Sequence, residues 1–134
     1  MAPIDCVRSF CQAWTGPDLD AVVAHLAPDI VYHNIPMEPL HGLAAVTHYL
    51  RGAGPFDSCE WELRSIAANG AMVLTERVDR MTVRGAPIVL PVMGAFRVEA
   101  GLIREWRDYF DLAGYRAQFP QGGAGGHLDR EDKA

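Results

Sequence analysis

Lysine is nearly missing from this chain: the only one among 134 residues is Lys133, next to the end. A Schiff-base mechanism and a lysine-bearing phosphate loop are thereby excluded from the folded body. Serine is scarce too. Ser9, Ser58 and Ser65 are the only three, and none sits in a G-x-S-x-G elbow. The three cysteines, Cys6, Cys11 and Cys59, form no C-x-x-C pair, and an odd count leaves one over from any disulfide scheme; reduced, buried thiols are expected. The five histidines (His25, His33, His41, His48, His127) show no H-x-H or H-E-x-x-H spacing, so no metal site is expected. No run of about 18 apolar residues occurs, so nothing is expected to span a membrane. Met1 leads at once into Asp5 and Arg8 without a signal-peptide core, and a cytoplasmic location is expected. A net charge of −5 and the lack of a basic patch exclude a nucleic-acid partner.

What is present is patterned for one α+β domain. Ile4, Val7, Phe10, Cys11 and Trp14 follow helical spacing up to Thr15-Gly16-Pro17. Asp18 caps a second helix, whose stripe is Leu19, Val22, Val23 and Leu26 and whose end is Pro28-Asp29. A strand is predicted from Ile30 to Ile35, and a third helix from Leu43 to Leu50, ended by Arg51-Gly52-Ala53-Gly54-Pro55. Four long strands follow: Cys59 to Ala67, Ala71 to Val83, Ile88 to Val98 and Leu102 to Asp111. Their turns are marked by Asn69-Gly70, Arg84-Gly85 and Glu99-Ala100-Gly101. This order predicts a mostly antiparallel sheet with three or four helices packed against it, spanning residues 1–119. The polar, Gly-rich segment 120–134 reads as a flexible tail.

Charges fall where a sheet core is expected. Val73, Thr75, Arg77, Asp79 and Met81 share one strand face, and Met72, Leu74, Glu76, Val78 and Arg80 the other. Both faces mix apolar and charged groups, so alternation alone does not say which is inside. On the last strand Leu102, Arg104, Trp106, Asp108 and Phe110 share a face, with Asp108 between two aromatics. A carboxylate buried there must be paired or neutral. Ile30, Tyr32 and Asn34 put a phenol and an amide on one side of the first strand.

Four blocks of sequence, Tyr32-His33-Asn34-Ile35-Pro36-Met37, Thr75-Glu76-Arg77-Val78-Asp79-Arg80, Leu90-Pro91-Val92-Met93-Gly94-Ala95-Phe96 and Trp106-Arg107-Asp108-Tyr109-Phe110-Asp111, together resemble the limonene-1,2-epoxide hydrolase family. The resemblance runs from about Ile4 to Phe119. It implies the cone-shaped α+β fold shared with nuclear transport factor 2 and ketosteroid isomerase. It implies a catalytic set of Asp79, Arg77 and Asp108 assisted by Tyr32 and Asn34. It further implies a homodimer, no metal or cofactor, and a small-molecule epoxide as substrate. The sequence opens almost at its first helix, and no counterpart of the N-terminal extension of the terpene enzyme that names the family is expected. Apolar substrate contacts are expected from Met81, Leu90, Val92, Phe96 and Phe110, with Met37 and Leu40 near the mouth. Such a pocket suits a terpenoid, steroid or cyclic epoxide.

The chemistry fits a count of charges. Two aspartates and one arginine carry a net −1, and a dry site favours taking up one proton. Arginine does not lose its proton, so a carboxyl carries the added one. The resemblance is then read with Asp79 as acid, Asp108 as base holding water with Tyr32 and Asn34, and Arg77 bridging both. An epoxide-opening cyclase, a ketosteroid-isomerase-like enzyme and a non-catalytic binding module remain alternatives on the same fold.

Overall fold

The computed structural model describes residues 1–16, 18–53 and 56–120. Pro17, the Gly54-Pro55 stop and the expected tail after Pro120, with His127 and Lys133, lie outside the described residues. Four helices are described: α1 (Pro3–Ala13), α2 (Leu19–Val23), α3 (Leu43–Ala53) and α4 (Leu112–Ala117). Six strands are described: β1 (Leu26–Asn34), β2 (Leu40–His41), β3 (Phe56–Asn69), β4 (Met72–Val83), β5 (Ala86–Glu99) and β6 (Leu102–Tyr109). The strands form one curved, mixed sheet in the order β2-β1-β6-β5-β4-β3. The α+β class is as the sequence predicts. No helix among the described residues is long and apolar enough to cross a membrane.

Hairpins join β3 through β6. Arg84–Gly85 and Ala100–Gly101 both carry positive φ on both residues, the backbone that two-residue turns need to match strand twist. One pairing is parallel: β1 lies beside β6, with Tyr32 facing Trp106 and Asn34 facing Asp108. That pairing brings the early part of the chain to its last strand and completes the cup.

α1 lies across the sheet against β3, β4, β5 and β6. Its Phe10, fully buried, meets Trp14, Trp61, Phe96 and Trp106 edge-on at 4.9–6.3 Å between ring centres. Edge-to-face contacts of this kind add to the area each ring buries. Cys6, Cys11 and Cys59 are buried, unpaired thiols.

Several boundaries differ from the sequence reading, each for a local reason. α2 stops at Val23, because Leu26 and Ala27 already bury themselves in β1. Pro28 and Asp29 then fall in an unpaired stretch between Leu26 and Val31, where a missing N–H costs nothing. The face assignment on β6 changes at Arg104. There β5 and β6 slip by one residue, so buried Ile103 and buried Trp106 share the inside while Arg104 points out. Leu102 and Arg104 therefore do not share the face of Trp106 and Asp108. The two-residue strand β2 and helix α4 were not predicted.

Replacing Phe10 with alanine is expected to lower unfolding free energy by about 3–5 kcal/mol in urea melts, because four rings lose their common partner. A loss below about 1 kcal/mol would show that the cluster is not the core.

Candidate active site

The inward face of β4 carries Val73, Thr75, Arg77 and Asp79, all buried. Burying a guanidinium on a strand is tolerable only if its charge is met. Arg77 Nε donates to Asp79 Oδ1 at 2.8 Å and Nη2 to Asp79 Oδ2 at 3.0 Å. Nη1 donates to Asp108 Oδ1 at 3.1 Å and Nη2 to Asp108 Oδ2 at 2.9 Å. One planar fork thus serves two carboxylates, a geometry no lysine could supply. The Arg77 side chain is 0% exposed and each aspartate side chain 6%. The ring of Trp61 lies over the guanidinium, 3.9 Å from its central carbon.

Beside Asp108 stands a second polar group. Tyr32 donates its hydroxyl to Asn34 Oδ1 at 3.0 Å, and Asn34 Nδ2 reaches Tyr49 Oη at 3.5 Å. Tyr32 is held flat on Trp106, 3.8 Å between ring centres. The parallel register sets Asn34 directly beside Asp108.

These groups open on a cleft of about 620 Å³, its mouth included. Tyr32, Asn34, Asp79 and Asp108 line it, together with Met81, Leu90, Val92 and Phe110. Arg77 lies behind its two carboxylates. Phe96, expected in the wall, is fully buried behind it, stacked near Trp106 and touching Phe10. Met37 and Leu40 pack against the core and are not part of the lining. The sequence reading missed Trp14, Tyr49, Leu50, Ala53, Cys59, Trp61 and Tyr115, all of which line the cleft. Leu50 and Ala53 follow from the apolar stripe of α3. Trp61 was hidden by a bulge: counting back from the Asn69-Gly70 turn sets Glu62 opposite Asp79, but Arg64 is left unpaired and Trp61 takes that place.

Burial pushes the Asp79 carboxyl up to about 6, with Arg77 pulling it down and Asp108 adding to the rise. Burial opposes the charge of Arg77, but the two carboxylates more than offset it and hold the guanidinium well above its ordinary value. Burial likewise keeps the Tyr32 phenol neutral, and the Cys11 and Cys59 thiols are pushed up to about 12. Cys59, although in the wall, is therefore a thiol and not a thiolate nucleophile. The site can give a proton from a carboxyl, hold a water beside a second carboxyl, and exclude bulk solvent around both.

Residues 1–120 match the limonene-1,2-epoxide hydrolase catalytic domain. The chain is 36% identical over 106 residues to epoxide hydrolase EphG of Mycobacterium tuberculosis, covering 79% of this chain and 71% of that protein. It superposes on the structure of an M. tuberculosis LEH-like epoxide hydrolase with a TM-score of 0.77 and 34% identity, over 90% of each chain. A protein of ketosteroid isomerase-like fold from Catenulispora acidiphila, 22% identical, has a TM-score of 0.75 over 88% of this chain and 93% of its own, and shares the fold alone.

Because the folded state holds the Asp79 proton more tightly (about 6) than the ordinary carboxyl at 3.8, this group's contribution to stability is full below about pH 4 and is lost as pH rises through about 6. Relative to Asp79→Asn, whose amide does not titrate, the unmodified protein is expected to lose on the order of 3 kcal/mol across that window in urea melts. A difference that stays flat from about pH 4 to 7 would show that Asp79 does not titrate abnormally.

Proposed function

The chain belongs to the limonene-1,2-epoxide hydrolase family, and on that premise we propose that it adds water to an uncharged, apolar epoxide of terpenoid, steroid or cyclic type in one step, giving a vicinal diol without metal or cofactor. The observation that carries this reading is the buried Asp79–Arg77–Asp108 trio at the end of an otherwise apolar cleft.

An epoxide is strained but has a poor leaving group, so opening needs a proton at oxygen as carbon is attacked. Asp79, with its carboxyl raised, is the acid and delivers that proton. Asp108 is the base. It takes a proton from a water held with Tyr32 and Asn34 as the water oxygen bonds to the far side of the ring carbon and the ring C–O bond breaks. The proton count of the trio is the same before and after, so the buried site never gains charge. Turnover ends with the proton on Asp108, and resetting the site moves one proton back to Asp79. No ester to the protein forms, and the attacked carbon is inverted.

The rival readings ask for something else. A ketosteroid-isomerase-like proton shuttle needs no arginine between its carboxylates. A cyclase uses an internal hydroxyl of its substrate where this scheme uses water. A binding module has no use for a proton-sharing trio.

Asp79→Asn and Asp108→Asn are each expected to lower kcat by at least about 10²–10⁴-fold on a panel of apolar epoxides, followed by diol formation. For the unmodified enzyme kcat/KM is expected to fall as pH rises past about 6, as Asp79 loses its proton. In a single turnover in water carrying heavy oxygen, label is expected in the diol alone. Label in an aspartate carboxyl would contradict the one-step scheme, and full activity in Asp108→Asn would remove its base.

The small-molecule epoxide has one macromolecular companion in this reading, a second copy of the chain. Leu74, Val89, Met93 and Tyr109 are 46–52% exposed on the outward face of β4, β5 and β6, with Met93 paired to Tyr109 in register. Clustered apolar groups on an open sheet face favour association. The unpaired buried thiols suit a cytoplasmic setting. Light scattering after gel filtration is expected to give a dimer, and Leu74→Glu with Met93→Glu a monomer. A monomeric unmodified protein would refute the pairing.

A further inference from the structure

Arg77 and Asp108 are not on neighbouring strands. Arg77 on β4 faces Val92 on β5, and Asp108 on β6 faces Gly94 on β5. Strands lie about 4.8 Å apart, so the guanidinium crosses a whole strand to reach Asp108. It does so over Gly94.

Val92, Gly94 and Phe96 alternate on the buried side of β5, so a side chain at position 94 would enter the same space as the guanidinium. A Cβ built there would lie 2.6 Å from Arg77 Nη1, 2.7 Å from Thr75 Oγ1 and 3.0 Å from Phe96 Cε1. Nη1 is the atom that donates to Asp108 Oδ1. Thr75 and Phe96 are 1% and 0% exposed, so neither side chain borders open solvent.

Backbone freedom does not explain this glycine. Among the described residues the glycines at positive φ are Gly16, Gly42, Gly70, Gly85 and Gly101, and Gly94 is not one of them. Glycine inside a strand weakens it, so its presence in the middle of β5 needs a reason in the space around it.

We infer that Gly94 is a positioning residue for epoxide opening, its missing side chain being the passage through which Arg77 reaches from β4 to Asp108. The catalytic half of this inference rests on the hydrolase reading; the geometric half does not. Gly94 is not among the residues that line the cleft.

The test compares the unmodified enzyme, Gly94→Ala, Thr75→Ala and the Thr75→Ala/Gly94→Ala double variant. Gly94→Ala is expected to lower kcat by about 100-fold, the effect of displacing a catalytic group by a fraction of a bond length to an ångström, while KM changes less than about threefold. Removing the Thr75 hydroxyl relieves one collision and leaves the one with Arg77. The double variant is therefore expected to regain thermal stability but not kcat, and it takes the place of Gly94→Ala if that variant does not fold. Recovery of kcat in the double variant, or unchanged kcat in Gly94→Ala, overturns the inference. Proton–nitrogen NMR of the Arg77 side chain reads the geometry without substrate. Its slowly exchanging guanidinium signals are expected to be lost or shifted in Gly94→Ala, and identical spectra also overturn the inference. An unmodified protein that opens no epoxide refutes the hydrolase reading alone, and the NMR comparison still decides the role of Gly94.

Discussion

One guanidinium held between two buried carboxylates is the interaction on which the rest of this structure depends. Removing three charged groups from water is costly, and their mutual attraction repays that only if every donor and acceptor is well placed. Arg77 places four of its five N–H donors on the two carboxylates at 2.8–3.1 Å and lies against an aromatic face at 3.9 Å. Such a cluster is weak evidence of stability. It contributes to a defined arrangement of strands, because β4, β5 and β6 must keep their register for the fork to reach both partners.

The surrounding fold supplies what the trio lacks. Its one parallel pairing, β1 against β6, brings Tyr32 and Asn34 beside Asp108. The stacked Tyr32 and Trp106 rings fix the phenol, and the Phe10 cluster fixes Trp106. In the proposed scheme water is held from β1 and the proton delivered from β4. The two meet at Asp108. An apolar wall around them keeps the local dielectric low, which is the physical cause of the raised Asp79 carboxyl and hence of its fitness as an acid at moderate pH.

The first three helices, the hairpins and the long strands were readable from period and turn residues, as were the shared side of Tyr32 and Asn34 and the need for a buried Asp108 to be paired or neutral. Less readable were effects of a single extra residue. The unpaired Arg64 brings Trp61 opposite Asp79, and the slip at Arg104 turns Leu102 away from the face of Trp106. A period-two count cannot anticipate either bulge. Phe96 obeyed the alternation yet lies behind the wall and not in it, because α1 covers that end of the sheet with Phe10. Tyr49 and Tyr115 come from helices whose facing toward the cleft depends on tertiary packing. The use of Gly94 depends on the path of Arg77 across β5, which no count of periods reveals.

Everything in the proposed chemistry requires the trio to hold a proton on Asp79 at a pH where an ordinary aspartate is ionised. Carbon NMR titration of aspartate carboxyls, assigned by comparison with Asp79→Asn, measures this directly. A midpoint of about 6 is expected for Asp79. A midpoint in the ordinary aspartate range, near about 4, would contradict it and leave the site without an acid.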